Sequence, residues 1–347
     1  MTMEPVLDRS VRIEDDAVLI LDRREFPHRQ EWVTARTAGE VADAIRQMVT
    51  QSSGPTYAAC AALVLTARQV ANAESQVARS TLGEAAALLI GARPTNNSVR
   101  DAVDAVLARL AELPENAETA TIVATAEEAA NGRAEEYRSR SRALAGHAVE
   151  LLPDGSRILT HCWMDTYIIE LVRAADAAGK RYTYVATETR PYLQGARLTA
   201  HTLAEMGQDV TLITDGMVAA VLSPHSTLGR IDALVTAADR VSMDGHVFNK
   251  IGTLGAAVAA DAFGVPYYAL IQAPDPQAPT AADVVVETRD ANEVLYTLGE
   301  RTASPLVTSG HYPAFDVTPP RFTTLIVTDR GAFEPASVAA YYQGENR

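Results

Sequence analysis

Two residues able to do chemistry follow apolar runs of strand length. Cys162 comes directly after Ile158-Leu159-Thr160-His161, and Asp239 after Ala233 to Ala238. Open α/β sheets bind their ligands beyond the carboxyl ends of such strands. A thiol between a strand and a helix can be held as a thiolate and act as nucleophile or base; the bland alternative is an inert buried cysteine. A carboxylate at a strand end can move protons, or it can merely cap the turn beside Arg240. Further along, Asn249 and Lys250 precede an apolar stretch of helical length. The sequence places this polar pair at a helix start, where free N–H groups and the macrodipole attract phosphate. Of the 30 Lys+Arg residues only Lys180 and Lys250 are lysine. A chain so poor in lysine keeps one where arginine will not serve, unless Lys250 is simply a survivor on a solvated turn.

A second group of polar residues lies in the segment Glu188 to Gly195. Arg190 carries a planar fork suited to anions, or else makes a rigid turn with Pro191. Gln194 sits near the start of the next helix. Arg93-Pro94 has the same character and the same ambiguity as Arg190-Pro191. Cys60, in an alanine-rich helical stretch, reads as packing. No G-x-G-x-x-G follows the first strand and no Walker sequence occurs, so a dinucleotide or triphosphate site of those kinds is not signalled. His161-Cys162 is adjacent rather than helically spaced, and seven scattered histidines do not suggest zinc.

The elements that must carry these residues fall into two textures. From the N-terminus, residues 11–22 read as a hairpin. Helices are then expected over 37–49 (capped by Thr37), 56–74, 81–89, from Asn97 or Ser98 onward, and 117–151. Ser52-Ser53-Gly54-Pro55 is a turn between the first two. After Gly155, short strands alternate with helices, which means βαβ units and a mostly parallel sheet. The fold class is therefore α/β, with a small β element and helical N-terminal domain (1–150) followed by a Rossmann-like domain (151–347). Net charge −14 argues against a nucleic-acid backbone as partner. No uncharged apolar run reaches membrane-spanning length and no signal peptide is evident, so the chain reads as cytoplasmic. Two cysteines make no disulfide framework.

Several motifs together are more specific than any one. HCWMD (161–165), TRPYLQGARLTA (189–200), ITDGM (213–217), AADRVSMDGHVFNKIGTLG (237–255) and PAFDVTP (313–319) resemble the S-methyl-5-thioribose-1-phosphate isomerases. These belong to a superfamily with ribose-1,5-bisphosphate isomerase and the regulatory subunits of translation initiation factor 2B. AVLILDRREFP (17–27), VADAIRQMV (41–49) and ARPTNN (92–97) extend the resemblance over nearly the whole chain. It implies a helical domain packed on a Rossmann-like one, a homodimer or larger, a small sugar 1-phosphate as partner, and no metal or organic cofactor. It also implies Cys162 and Asp239 as the catalytic pair. Arg93, Gln194, Asn249, Lys250 and the Ser53-Gly54 turn would hold the substrate and its phosphate.

The implied chemistry suits these residue types. An aldose 1-phosphate has its anomeric carbon blocked, so the ring opens with C1 still phosphorylated. A proton or hydride then moves from C2 to C1. Burial can raise a carboxyl pKa toward neutrality for such proton transfer, which makes Asp239 the candidate for ring opening and Cys162 the candidate base or stabiliser. Two departures bear on the substrate. The Arg-Gly-Ala-Pro of the methylthioribose branch is here Ser52-Ser53-Gly54-Pro55, without its arginine, and Trp163-Met164-Asp165 replaces a smaller continuation after His-Cys. A bulky Trp163 favours a small or apolar C5 substituent, such as 5-methylthio or 5-deoxy, over a second phosphate. The alternatives are a ribose-1,5-bisphosphate isomerase and a non-catalytic sensor of sugar phosphates or nucleotides.

Overall fold

The computed structural model describes residues 4–93 and 97–346. It divides the chain into two compact units: Val6–Ser139, and Arg140–Arg347 with Glu4 and Pro5. The division falls inside a long helix rather than at the Pro153-Asp154-Gly155 turn that ends it.

The N-terminal unit opens with β1 (Val11–Ile13), β2 (Val18–Leu21) and β3 (Trp32–Ala35), an antiparallel sheet in that order. The expected hairpin is β1–β2, with Val11 opposite Ile20. β3 was not legible, because Ala35 is its only fully buried side chain and hydropathy carries no period there. Then come α1 (Ala38–Arg46), α2 (Gly54–Gln69), α3 (Ser75–Ala92), α4 (Asn97–Ala111) and α5 (Thr119–Leu151), which runs on past the unit's end. Thr37 caps α1 by accepting from the Glu40 N–H at 3.2 Å. α2 is buried almost all round, as a central helix must be. Its Cys60 thiol is pushed up to about 12 by burial, consistent with packing alone.

α2 and α3 are successive helices packed on one another, with Ser53 and Gly54 at the start of α2 and Arg93 at the end of α3. Gly54 has no freedom to be anything larger. A Cβ there would lie 1.9 Å from Thr50 Oγ1 and 3.0 Å from Arg23 Nη2. Arg23 is itself buried under the turn, donating to the Gln51 carbonyl (2.8 Å) and Ser10 Oγ (2.7 Å). Pro94, Thr95 and Asn96 of the expected ARPTNN loop lie outside the described residues.

The C-terminal unit contains β4 (Arg157–Thr160), α6 (Thr166–Ala177), β5 (Thr183–Thr187), a π-helical turn (Gly195–Thr199) continuing as α7 (Ala200–Glu205), and β6 (Asp209–Ile213). It continues through α8 (Val218–Leu222), β7 (Ala233–Ala237), β8 (Arg240–Val241), β9 (Val247–Lys250), α9 (Thr253–Ala262) and β10 (Tyr267–Leu270). The last elements are α10 (Asn292–Leu295), the ribbon β11 (Tyr296–Thr297) and β12 (Glu300–Arg301), then β13 (Phe315–Thr318), β14 (Leu325–Thr328) and β15 (Gly331–Phe333). Seven strands form one sheet in the order β15-β14-β10-β7-β4-β5-β6, parallel except for β15. The mixed α/β class and largely parallel sheet are as the alternation of strands and helices required. Leu159, Val185, Leu234, Ala269 and Ile326 from successive strands pack with Ala256, Ala257 and Ala260 of α9.

Lys180 explains its own retention. Its Nζ donates to the carbonyls of Val149 and Leu152, both at 2.7 Å, closing the last turn of α5 with a compact ammonium that a planar guanidinium would not copy. Among the described residues, no helix is long and apolar enough to cross a membrane.

Candidate active site

The chain lays down β4, then β5 and β6 on one side of it, and then returns to place β7 on the other side. The strand order therefore reverses between β4 and β7, and at such a reversal the two outgoing loops diverge and leave a crevice. Cys162 leaves the end of β4 and Asp239 the end of β7. Topology alone thus brings the thiol and the carboxylate to the same opening, although the two strands share only the register pairs Ile158–Ala233 and Leu159–Leu234. The Asp239 carboxylate raises the Cys162 pKa and the Lys250 ammonium lowers it, so all three groups share one neighbourhood.

Cys162 is held in the left-handed region (φ 71°) with its backbone N–H donating to Thr189 Oγ1 at 3.0 Å. Its carbonyl accepts from the Thr199 hydroxyl, and its Sγ accepts from Gln194 Nε2 at 3.3 Å. Burial pushes the thiol up to about 11, against the lowering influence of Lys250. The expected helix-stabilised thiolate is therefore not what the fold provides. Trp163, Met164 and Asp165 separate Cys162 from the first turn of α6, and the sulfur is buried away from water. At neutral pH Cys162 is a thiol.

Gln194 is 1% exposed, and its Oε1 has no hydrogen-bond partner among the described residues. It stands at the mouth of the π-helical turn, a local widening that recurs at functional sites. Gly195 makes the approach possible, since a Cβ would lie 1.9 Å from the Thr187 carbonyl oxygen. Asp239, by contrast, is exposed, with its N–H donating to the Phe248 carbonyl at 2.9 Å. Arg240 pairs with Asp275 at 3.3 Å.

The setting of Asn249 and Lys250 differs from expectation. They end strand β9, which pairs with β13 (Lys250 opposite Phe315, Asn249 opposite Asp316), and α9 starts only at Thr253. A run of four residues ending in Asn-Lys has no hydrophobic period to separate it from the helix that follows. Being successive on a strand, the two side chains take opposite faces. Lys250 Nζ lies 4.5 Å from the centroid of the Phe315 ring. Asn249 Nδ2 instead donates to Thr253 Oγ1 at 3.0 Å, and that hydroxyl donates to the Lys250 carbonyl at 2.7 Å. Two of the N–H groups at the start of α9 are already taken. Asp316 Oδ2 accepts from Gly252 (2.7 Å) and Leu254 (3.1 Å).

His161 ties the two sides of the crevice. A carbonyl only accepts, so Nε2–H donates to Ile251 O (2.9 Å) and Nδ1 accepts from the Thr187 hydroxyl (2.7 Å). Burial holds the imidazole pKa below its ordinary value, in keeping with this neutral tautomer. Thr187 Oγ1 is 3.1 Å from Thr189 Oγ1, completing a chain of bonds from the Cys162 N–H to the loop after Lys250. Gly252, at φ 108°, packs on the imidazole, and a Cβ would lie 2.8 Å from its Cε1. Gly252→Ala is expected to destabilise the protein by roughly 2–4 kcal/mol through backbone strain and the clash together; thermal denaturation against wild type measures this.

Arg190 is not poised for an anion. Its guanidinium donates to the carbonyls of Pro191, Val294 and Tyr296, while its N–H and that of Thr189 are held by Asp215. The C-terminal unit thus brings together Cys162, Asp239, Gln194 and Lys250, with Asn249 bracing the loop behind Lys250. Arg93, Ser53 and Gly54 belong to the N-terminal unit, Ser53 and Gly54 at the start of α2 and Arg93 at the end of α3. The contacts of Thr187, Thr189, His161 and Asp316 carry no signal in the sequence pattern. All four lie within or beside the quoted motifs, but only strand register reveals what they touch. Among the described residues no group of three or more His, Cys, Asp or Glu is arranged to hold a metal.

A doubly wound α/β unit with a thiol and a carboxylate at its switch point, beside one lysine, defines a small-molecule site of the Rossmann-like class. Residues 50–335 match the Initiation factor 2 subunit family, and the chain belongs to that family. The methylthioribose-1-phosphate isomerase of Anaeromyxobacter sp. (strain K) is 37% identical over 95% of this chain and 93% of its own length. That of Pelotomaculum thermopropionicum is 35% identical over 92% and 89%. Among solved structures, the 5-methylthioribose 1-phosphate isomerase from Pyrococcus horikoshii superposes with a TM-score of 0.86 at 29% identity, covering 98% of both chains. The A. fulgidus translation initiation factor eIF-2B subunit delta gives 0.81 at 32%, covering 94% of this chain and 96% of its own.

Proposed function

We propose that the protein is an aldose–ketose isomerase that converts 5-methylthioribose 1-phosphate, or a close 5-deoxy analogue, to the corresponding ribulose 1-phosphate. The observation that carries this reading is the convergence of Cys162, Asp239 and Lys250 at the β4/β7 reversal. The names of relatives at 35–37% identity over most of the chain point the same way.

The reaction needs one proton given and one recovered. As the C1–O4 bond breaks, O4 takes a proton; one hydrogen passes from C2 to C1, and O2 releases its proton to become the ketone. Asp239, at the strand end and open to water, can serve both steps by turns. The hydrogen transfer takes place beside Cys162, whose protonated sulfur donates a hydrogen bond rather than abstracting a carbon-bound proton. Gln194 Oε1, a buried acceptor lacking a donor, suits a sugar hydroxyl. In this unit the phosphate falls to Lys250 as a charge-assisted contact.

An uncharged C5 substituent is supported by the engagement of the nearby arginines. Arg190 is spent on carbonyls, and Arg197 donates to the Tyr192 carbonyl with its guanidinium over the Tyr192 ring, so neither is set for a second phosphate. Purified protein mixed with 5-methylthioribose 1-phosphate, 5-deoxyribose 1-phosphate and ribose 1,5-bisphosphate is expected to form ketose from the first two at far higher kcat/KM. Preference for the bisphosphate would move the assignment to that isomerase. Binding without ketose formation from any of the three would move it to a sensor.

A further inference from the structure

The PAFDVTP stretch carries a carboxylate that the proposed reaction does not use. Asp316 stands on β13, outside the seven-stranded sheet, directly opposite Asn249 and one residue from the Phe315 ring that Lys250 covers. Its Oδ2 takes the N–H groups of Gly252 and Leu254, while Oδ1 is buried with no hydrogen-bond partner among the described residues. The Ile251 N–H is held by the Ala314 carbonyl at 3.1 Å, and the Ile251 carbonyl by His161. The backbone after Lys250 is thus held at Ile251, Gly252 and Leu254, by Ala314 just before β13 and by Asp316 on it.

We propose that Asp316 is a positioning residue of this site: its carboxylate fixes the backbone at Gly252 and Leu254 and so holds the Lys250 ammonium in place beside Cys162. The inference rests on the isomerase reading for its kinetic consequence, but its structural core can be tested without substrate.

A carboxylate retained only for capping would be expected to favour folding in its ionised form. Asp316 is instead raised to about 6, chiefly by burial and against the lowering influence of the two N–H groups and Lys250. The charged groups facing it are few. Lys250 comes from β9, Tyr267 from β10, and the first turn of α9 (Thr253 to Ala256) brings none. Since its folded value lies above the ordinary 3.8, the folded chain binds the proton more tightly than the unfolded one. Its ionised form therefore costs stability, and that cost is felt as pH rises from about 4 through 6. A residue that costs stability in its working state, yet sits on the clamp of a site lysine, is what a trade of stability for activity predicts.

Asp316→Asn removes the charge and leaves only a neutral amide oxygen for the two N–H groups, so the charge-assisted hold on Gly252 and Leu254 is weakened while the side-chain shape is kept. The variant is expected to be folded and at least as stable as wild type at pH 7, with the difference vanishing toward pH 4.5. Its kcat is expected to fall tenfold or more with a smaller change in KM, and the acid limb near pH 6 in kcat should flatten. Because His161 loses stability in the opposite direction, as pH falls below its ordinary value, the informative quantity is the difference between the two proteins. Alkylation of Cys162 by iodoacetamide, followed at pH 8 by peptide mapping, needs no substrate. Lys250→Met should slow it, and Asp316→Asn should slow it in the same direction. Should Asp316→Asn fail to fold, Asp316→Ser restores a capping oxygen and is judged by the same readouts. Wild-type kcat together with wild-type alkylation in a folded, charge-removed variant overturns the proposal. If wild type forms no ketose from any sugar phosphate, the isomerase reading falls, and alkylation alone decides the role of Asp316.

Discussion

Asp239→Asn is expected to lower kcat by about 10²–10⁴-fold, the range for loss of a positioned acid–base group, while leaving the fold untouched. Asp239 is exposed and lies outside the core, so its removal should change stability by no more than about 0.5 kcal/mol. Cys162→Ser is the sharper test of its partner. The serine hydroxyl can still accept from Gln194, so the local bonds survive while the polarisable thiol is lost. A kcat loss on the order of 10²-fold or more with an unchanged circular dichroism spectrum would place both residues in the chemistry. Full activity in either variant would remove it from the site.

Lys250→Met should lower kcat/KM by roughly 10–150-fold, since a charge-assisted bond to phosphate is worth about 1.5–3 kcal/mol. Two features sharpen this expectation. The α9 start is poorly placed to take over the phosphate, because Asp316 already holds the Gly252 and Leu254 N–H groups. Lys250 also lowers the Cys162 pKa, so its loss should leave the thiol still higher and still less reactive toward alkylation. Lys250→Arg should recover little, because a planar fork is broader than the ammonium that fits over Phe315. Steady-state kinetics for the two variants separate charge from shape; equal recovery by arginine would mean that charge alone matters.

The residues of the site were legible where hydropathy changes abruptly. A buried parallel strand ends in a polar residue, so the positions of Cys162 and Asp239 beyond their strands can be read from the sequence, whereas the roles proposed for them cannot. Lys250 stands out by its rarity, but its setting on a strand rather than a helix start does not. β9 is a four-residue strand whose partner β13 lies 60-odd residues further along, as the pairing of Lys250 with Phe315 requires, and no local pattern can reveal such a pairing. The same blindness hid Asp316 and the His161–Thr187–Thr189 chain, which exist only through register between separate strands. Arg190 shows the opposite failure. A guanidinium beside a cis-proline reads as an anion fork until its three carbonyl partners are seen. The thiol, too, needed three dimensions, because burial rather than proximity to a helix sets its state.

The reversal at β4 has a consequence for how the protein is made. β4, β5 and β6 are successive in the chain and joined by local crossovers, whereas β7 must return past both to pair with β4 through two register pairs. Contacts that close long loops are the costly ones to form in folding. The thiol and the carboxylate therefore become neighbours only once that long-range pairing has formed. A nascent chain that has built the first three strands would already have much of its regular structure while the β4/β7 crevice was still unformed, so helix content alone is a poor gauge of completed folding.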